Sequence, residues 1–108
     1  MGRAARYIPE RLGAKLHAIR LFLGLTQEEM IERLAYDKSL IRQGHISEYE
    51  NGLREPQLLV ILRYARVINA TGLFSVTMEM LVDNEMDLPG ELHGFVRMVE
   101  VAREADAK

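Results

Sequence analysis

Residues 24–56, GLTQEEMIERLAYDKSLIRQGHISEYENGLREP, constrain what this chain can fold into more than any other stretch. Thr26 followed three residues later by Glu29 is the pattern of a capping box. In it, hydroxyl and carboxylate satisfy each other's orphan backbone amides at a helix start. Met30, Ile31 and Leu34 supply the buried face behind that cap, and the spacing predicts a helix ending between Leu34 and Tyr36. A second helix is predicted from Arg42 or Gln43 to Asn51, with Ile46 and Tyr49 facing inward at i, i+3 and Gly52 terminating it. Leu53 can then fold back onto the core. Between the two helices, Asp37 and Ser39 are turn or cap residues, while Leu40 and Ile41 call for burial, so the pattern over 35–43 points to no single conformation.

The same punctuation runs through the rest of the chain. Pro9, Pro56 and Pro89 each precede apolar residues at helical spacing, and proline is favoured at the first position of a helix. Gly24, Gly52 and Gly72 fall where such stretches should end. A first helix is expected over 9–23, with Leu12, Leu16, Ile19 and Leu23 in one stripe and Arg11, Lys15 and Arg20 off it. A fourth is expected over 56–69, with Leu58, Ile61, Leu62, Ala65 and Ile68 inward and Arg63 and Arg66 solvated. FSVTMEMLVDNE alternates like a strand at Val76, Met78, Met80 and Val82, whereas Ser75 or Thr77 could cap a short helix. The short helix is preferred, because no other stretch offers a partner strand. A last helix over 89–104 carries Leu92, Phe95, Val99 and Ala102, widened by Val96 and Met98. That much apolar surface must pack on its own domain or on another subunit. In the second case Leu92, Phe95, Val96, Val99 and Ala102 are the dimerisation candidates. The fold class is all-α.

At 108 residues the chain is one domain with a small appendage. No apolar run approaches the roughly 20 residues that span a membrane. MGRAARYIPE lacks the apolar segment of a secretory signal. The absence of cysteine excludes disulfides and thiolate metal sites and fits a cytoplasmic location. The net charge of −2 conceals an asymmetry. Residues 1–66 hold eleven Lys/Arg against eight Asp/Glu, and residues 67–108 hold three against eight. A basic front and an acidic rear suit a DNA-facing surface, although an excess of three charges is also within reach of chance clustering. Catalytic and cofactor signatures are missing. His17, His45 and His93 are far apart in sequence, there is no nucleophile elbow or phosphate-binding glycine loop, and the carboxylates of 83–87 (DNEMD) read as a solvated acidic turn. Neither enzyme activity nor a cofactor or metal is expected.

On IRLFLGLTQEEM (19–30), ISEYENG (46–52) and the helix after Pro56, the chain resembles the Xre/Cro-type, lambda-repressor-like helix-turn-helix regulators over about residues 9–84. The resemblance implies a compact five-helix domain, double-stranded DNA as partner, binding usually as a dimer, and no catalysis. Residues 1–8 are then a flexible N-terminal arm and residues 85–108 a C-terminal helix that is a possible dimerisation element. Carried over by position, Gln27 would bond a DNA phosphate at the start of the second helix. Gln43, Gly44 and His45 would form the exposed first turn of the recognition helix, with Glu48 outward one turn later. Asn51 and Arg54 would flank the DNA backbone, and Arg20 and Glu50 would form a structural ion pair. This chain departs from the pattern by about five extra residues around 35–39, which imply a longer loop, an extended helix or a shifted register.

The chemistry of these side chains is compatible with those places. A glutamine amide can read adenine at N6 and N7, which makes Gln43 a base-contact candidate. His45 can donate to a base acceptor or a phosphate, or be an ordinary surface histidine. Ser47 points to phosphate or back to its helix. Glu48 can accept from cytosine N4 but repels phosphate. Gln27, Lys38, Arg42, Asn51 and Arg54 are the phosphate candidates. The expected activity is sequence-specific DNA binding by a dimeric repressor on a pseudo-palindromic operator. The rival is an antitoxin-like or adaptor module whose acidic C-terminal part holds a protein partner.

Overall fold

Side-chain caps at Thr26 and Thr77 and left-handed glycines at Gly24, Gly52 and Gly72 mark several of the helix ends, as the punctuation predicts. The computed structural model describes residues 8–34 and 41–106. Among them are six helices and no strand: α1 Leu12–Leu23, α2 Gln27–Leu34, α3 Gln43–Glu50, α4 Leu58–Asn69, α5 Met78–Val82 and α6 Glu91–Asp106. Thr26 and Glu29 close the predicted box at α2: the Glu29 amide donates to Thr26 Oγ1 at 3.1 Å, and the Thr26 amide to Glu29 Oε1 at 2.8 Å. α1 ends at Gly24, whose φ of +70° is the left-handed cap conformation that a side chain disfavours. The ambiguous stretch is helical, and Thr77 is its cap, accepting the Met80 amide at 3.2 Å. Asn69 fixes the approach to it, bonding both the amide and the carbonyl of Val76.

The prolines stand further from their helices than expected. Pro56 precedes the N-cap Gln57 and is itself buried, and α6 begins two residues after Pro89. The Pro9 and Pro89 carbonyls accept from the first turns of their helices instead. The later start of α4 corrects its apolar stripe. Leu58 lies in the first turn, beyond the edge of the core, and is 70% exposed. Burial falls on Val60, Ile61, Tyr64, Ala65 and Ile68.

α1 is the central helix, not one with a single buried stripe. Leu12 through Leu16, then Ala18 and Ile19, are all buried, with α3, α4, α5 and α6 packed around them. Lys15, which lies off the predicted stripe, is therefore fully buried. Its ammonium donates to the carbonyls of Met80, Asp83 and Met86 at 2.7, 2.8 and 2.7 Å, the triple partnering that a buried ammonium requires. Burial lowers its pKa from the ordinary lysine value. Arg11, one turn earlier, reaches the same loop and α6 through Asn84, Asp87 and Glu100. The acidic turn of residues 83–87 is thus tied to α1 rather than simply solvated.

The inner stripe of α6 is used within the chain. Leu92, Val96 and Val99 are buried against α1, and Phe95 stacks edge-on against Phe22 with centroids 5.6 Å apart. These four dimerisation candidates are spent on the chain's own core. Ala102 stays exposed.

Gly13 sits where α1 crosses the end of α3. A Cβ there would lie 2.6 Å from the Glu50 carbonyl oxygen and 2.8 Å from that of Tyr49. In an open helix Gly→Ala stabilises by up to about 1 kcal/mol. Gly13→Ala is expected to destabilise instead, by about 1–3 kcal/mol, as overpacked sites do. Urea unfolding decides: a midpoint equal to or above the wild type would show that the two helices separate freely.

Candidate nucleic-acid interface

α3 is held by its inner edge and its C-terminus. Ile46 and Tyr49 are buried, and Glu50 is only 2% exposed. A carboxylate in that position requires a partner, and Arg20 of α1 supplies a two-point one. Its Nε lies 2.6 Å from Oε2 and its Nη2 3.0 Å from Oε1, while Nη1 donates to the Leu25 carbonyl at 2.9 Å. The Glu50 hydrogen bond raises the Arg20 pKa above the ordinary arginine value. The expected ion pair is therefore present. Gln27 joins it through Nε2 at 3.4 Å from Glu50 Oε1, so the predicted phosphate ligand is also tied to the end of α3.

Two further groups converge on Glu50. Arg103 of α6 donates to its backbone carbonyl, which would otherwise be orphaned at the helix end. His17 of α1 brings Nε2 to 3.9 Å from Oε1. Burial lowers the His17 pKa below its ordinary value of 6.5, outweighing the attraction of Glu50. Sequence reasoning singles out neither residue for this place. A signal for Arg103 exists, because it continues the buried series Leu92, Val96, Val99 at the next helical step, where an unpaired charge has no place.

The other edge of α3 faces outward. Arg42 stands exposed just before the helix, and its amide donates to His45 Nδ1 at 3.3 Å. With Nδ1 accepting, the ring proton of neutral His45 belongs on Nε2. Gly44 is exposed, and a Cβ built on it would meet nothing within 4 Å. No internal contact therefore requires a glycine there. Ser47 and Glu48 are half-buried. Asn51 turns back on its own helix, donating to the Ser47 carbonyl at 3.0 Å. Arg54 pairs with Glu48 at 2.6 Å, holding that carboxyl below the usual range. This contact offsets the charge that would repel phosphate. Lys38 and the insertion around 35–39 lie outside the described residues, as does the Gln43 side chain, although the Gln43 backbone opens α3.

A capped helix followed by a helix that is fixed from behind and open in front defines a helix-turn-helix DNA-binding domain. A helix-turn-helix family model matches residues 16–73, more than half of the chain. The chain belongs to that family, the Xre/Cro-type, lambda-repressor-like regulators, and is a DNA-binding protein. No curated protein and no solved structure matches it. Among the described residues, no helix is long and apolar enough to cross a membrane, and no cluster of His, Asp or Glu is placed to hold a metal.

Two stability predictions come from the Glu50 joint. Arg20→Ala should cost about 3–5 kcal/mol, because it strands a buried carboxylate. The double exchange Arg20→Met with Glu50→Leu should retain more stability than either single change, since apolar replacement of a buried pair is often tolerated. Additive losses in a denaturant double-mutant cycle would refute the coupling. For His17, the folded pKa lies below the unfolded value of 6.5. The unfolded chain therefore binds the proton first, and stability falls as pH drops below 6.5. His17→Gln should flatten the difference in urea midpoint between pH 7.5 and pH 5.5. An unchanged difference would assign the pH dependence elsewhere.

Proposed function

We propose that this protein is a transcriptional repressor that binds a pseudo-palindromic operator as a dimer and occludes a promoter. The observation that carries the reading is the division of α3 into two edges. Its core edge and C-terminus are fixed through Glu50, and its outer edge presents Arg42, His45, Ser47 and the Glu48–Arg54 pair. Arg42 and Arg54 supply charge to phosphates. His45 Nε2 donates to a base acceptor, and Glu48 accepts from cytosine where Arg54 releases it. Gly44 leaves space for close approach of the duplex. Gln43 reads adenine, while Lys38, Gln27 and Asn51 complete the backbone contacts. Two such helices spaced about 34 Å apart would enter successive major grooves on one face of the DNA.

Site selection from random duplexes, followed by fluorescence anisotropy across a salt series, tests this. Binding should weaken linearly as the logarithm of salt concentration rises. Arg42→Ala should weaken all sequences alike and reduce the slope by about 0.9 for each phosphate that is no longer neutralised. His45→Ala should instead relax the preference at one base position. Binding without salt dependence or sequence preference would overturn the proposal. The carboxylate that Glu48 places on the reading edge favours one other reading, a protein partner in place of DNA. A stoichiometric partner that co-purifies, with no DNA retained at low salt, would decide for it.

A further inference from the structure

A groove of about 350 Å³ between α1 and α6 reaches the C-terminal end of the recognition helix. Leu21, Met98, Val99 and Ala102 form its apolar walls, and His17, Asn51, Arg103 and Asp106 supply its polar groups. Apolar walls with a few placed polar groups are the usual make-up of a small-molecule site, and this volume suits a small ligand.

Several of those polar groups lack partners. Arg103 is half-buried, and its one acceptor among the described residues is the Glu50 carbonyl. A guanidinium has five N–H donors, so most of them are left over. Glu50 is taken by Arg20, and Glu100 by Arg11 and Arg97, which leaves Arg103 without an ion pair among the described residues. Burial lowers its pKa, as it does for a cation with no close anion. Asp106, three residues on and so on the same side of α6, is likewise in no ion pair there. It stands at the end of the helix, where the last carbonyls also favour a cation. His17 Nδ1 has no hydrogen-bond partner among the described residues, and Asn51 uses its side-chain N–H on Ser47, leaving its oxygen.

The spacing of these charges identifies the occupant. Side chains three residues apart on one helix have Cβ atoms roughly 5–6 Å apart. An α-amino acid carries its carboxylate and ammonium on neighbouring carbons, so one molecule can meet both residues. Its carboxylate pairs with Arg103, its ammonium with Asp106 and the Asn51 oxygen, and its side chain lies against the apolar walls. A plain acid would be repelled by Asp106, and a plain amine by Arg103.

We propose that this groove binds a free amino acid with an apolar side chain, and that its occupancy is felt at the recognition helix. Arg103 is the link, touching the ligand through its remaining N–H groups and the last residue of α3 through the Glu50 carbonyl. With the guanidinium held between two acceptors, ordering α3 on DNA costs less, so ligand and DNA strengthen each other reciprocally. The coupling rests on the DNA reading given above; the binding does not.

Calorimetry on the full chain with leucine, methionine and phenylalanine tests the site. The best of them is then compared with the acid lacking its ammonium and the amine lacking its carboxylate (isocaproate and isoamylamine for leucine). At least one amino acid should bind and raise the midpoint of thermal unfolding. Each analogue should bind roughly tenfold weaker or more, the loss expected for one charge-assisted contact. Asp106→Asn should weaken the amino acid but not the plain acid. Arg103→Gln, which keeps a donor for the Glu50 carbonyl, should weaken both. Ala102→Phe should fill the groove and abolish binding in a chain that still unfolds cooperatively. No binding by any of the three at millimolar concentration, or binding that survives Ala102→Phe, would overturn the site. So would self-association that Ala102→Phe removes, because a second copy would then be the occupant. In anisotropy, the bound amino acid should tighten the selected duplex about fivefold or more. An unchanged Kd would remove the coupling and leave the site. Ligand binding by a chain that holds no DNA would remove the operator reading and leave the site.

Discussion

Glu50 is the residue on which the position of the recognition helix depends. Its carboxylate is held bidentately by Arg20, its carbonyl is taken by Arg103, and its backbone lies against Gly13, where even a methyl group would clash. Three helices therefore meet at one peptide. Apolar contact alone would leave α3 able to slide, because dispersion and burial are indifferent to small shifts along a helix axis. A bidentate guanidinium–carboxylate pair is not indifferent. Its two hydrogen bonds fix both distance and rotation, and lysine could not reproduce that planarity. Such a pair adds little net stability over apolar packing, but it defines a single geometry, which matters to a helix that must match a groove.

A second polar joint sits at the other end of α1. The Lys15 ammonium collects three carbonyls from residues 80–86, and Arg11 holds the neighbouring side chains. These carbonyls lie at and beyond the five-residue α5, too short to hold its own position by helical hydrogen bonding alone. The buried cation orders a loop that local propensity cannot order. Both joints arise because α1 is central: a charged residue on a helix covered from all sides must find a partner inside the protein.

This arrangement explains what is legible in the sequence. The Thr26–Glu29 box, the stops at Gly24 and Gly52, and the Thr77 cap all act within a few residues, so their residue types announce them. The Arg20–Glu50 pair spans thirty positions and is visible only through family resemblance. Lys15 escapes any reading that gives α1 a single apolar stripe. The signal lies in its neighbours, Gly13, Ala14 and Ala18, small residues suited to close packing on several sides. Leu58 misleads for the opposite reason: proline marks a start two residues early, and the periodicity then extends into a turn beyond the core. The base-reading edge is least legible, since exposed polar residues serve a solvated surface and a DNA groove equally well, and nothing internal distinguishes the two.

The position of α6 gives the domain a mechanical consequence. Leu92, Val96 and Val99 fix this helix to α1, while Arg103 extends the same line of contacts to the terminal carbonyl of α3. The recognition helix and α6 are thus joined directly, through their shared packing on α1 and through Arg103 at the Glu50 carbonyl.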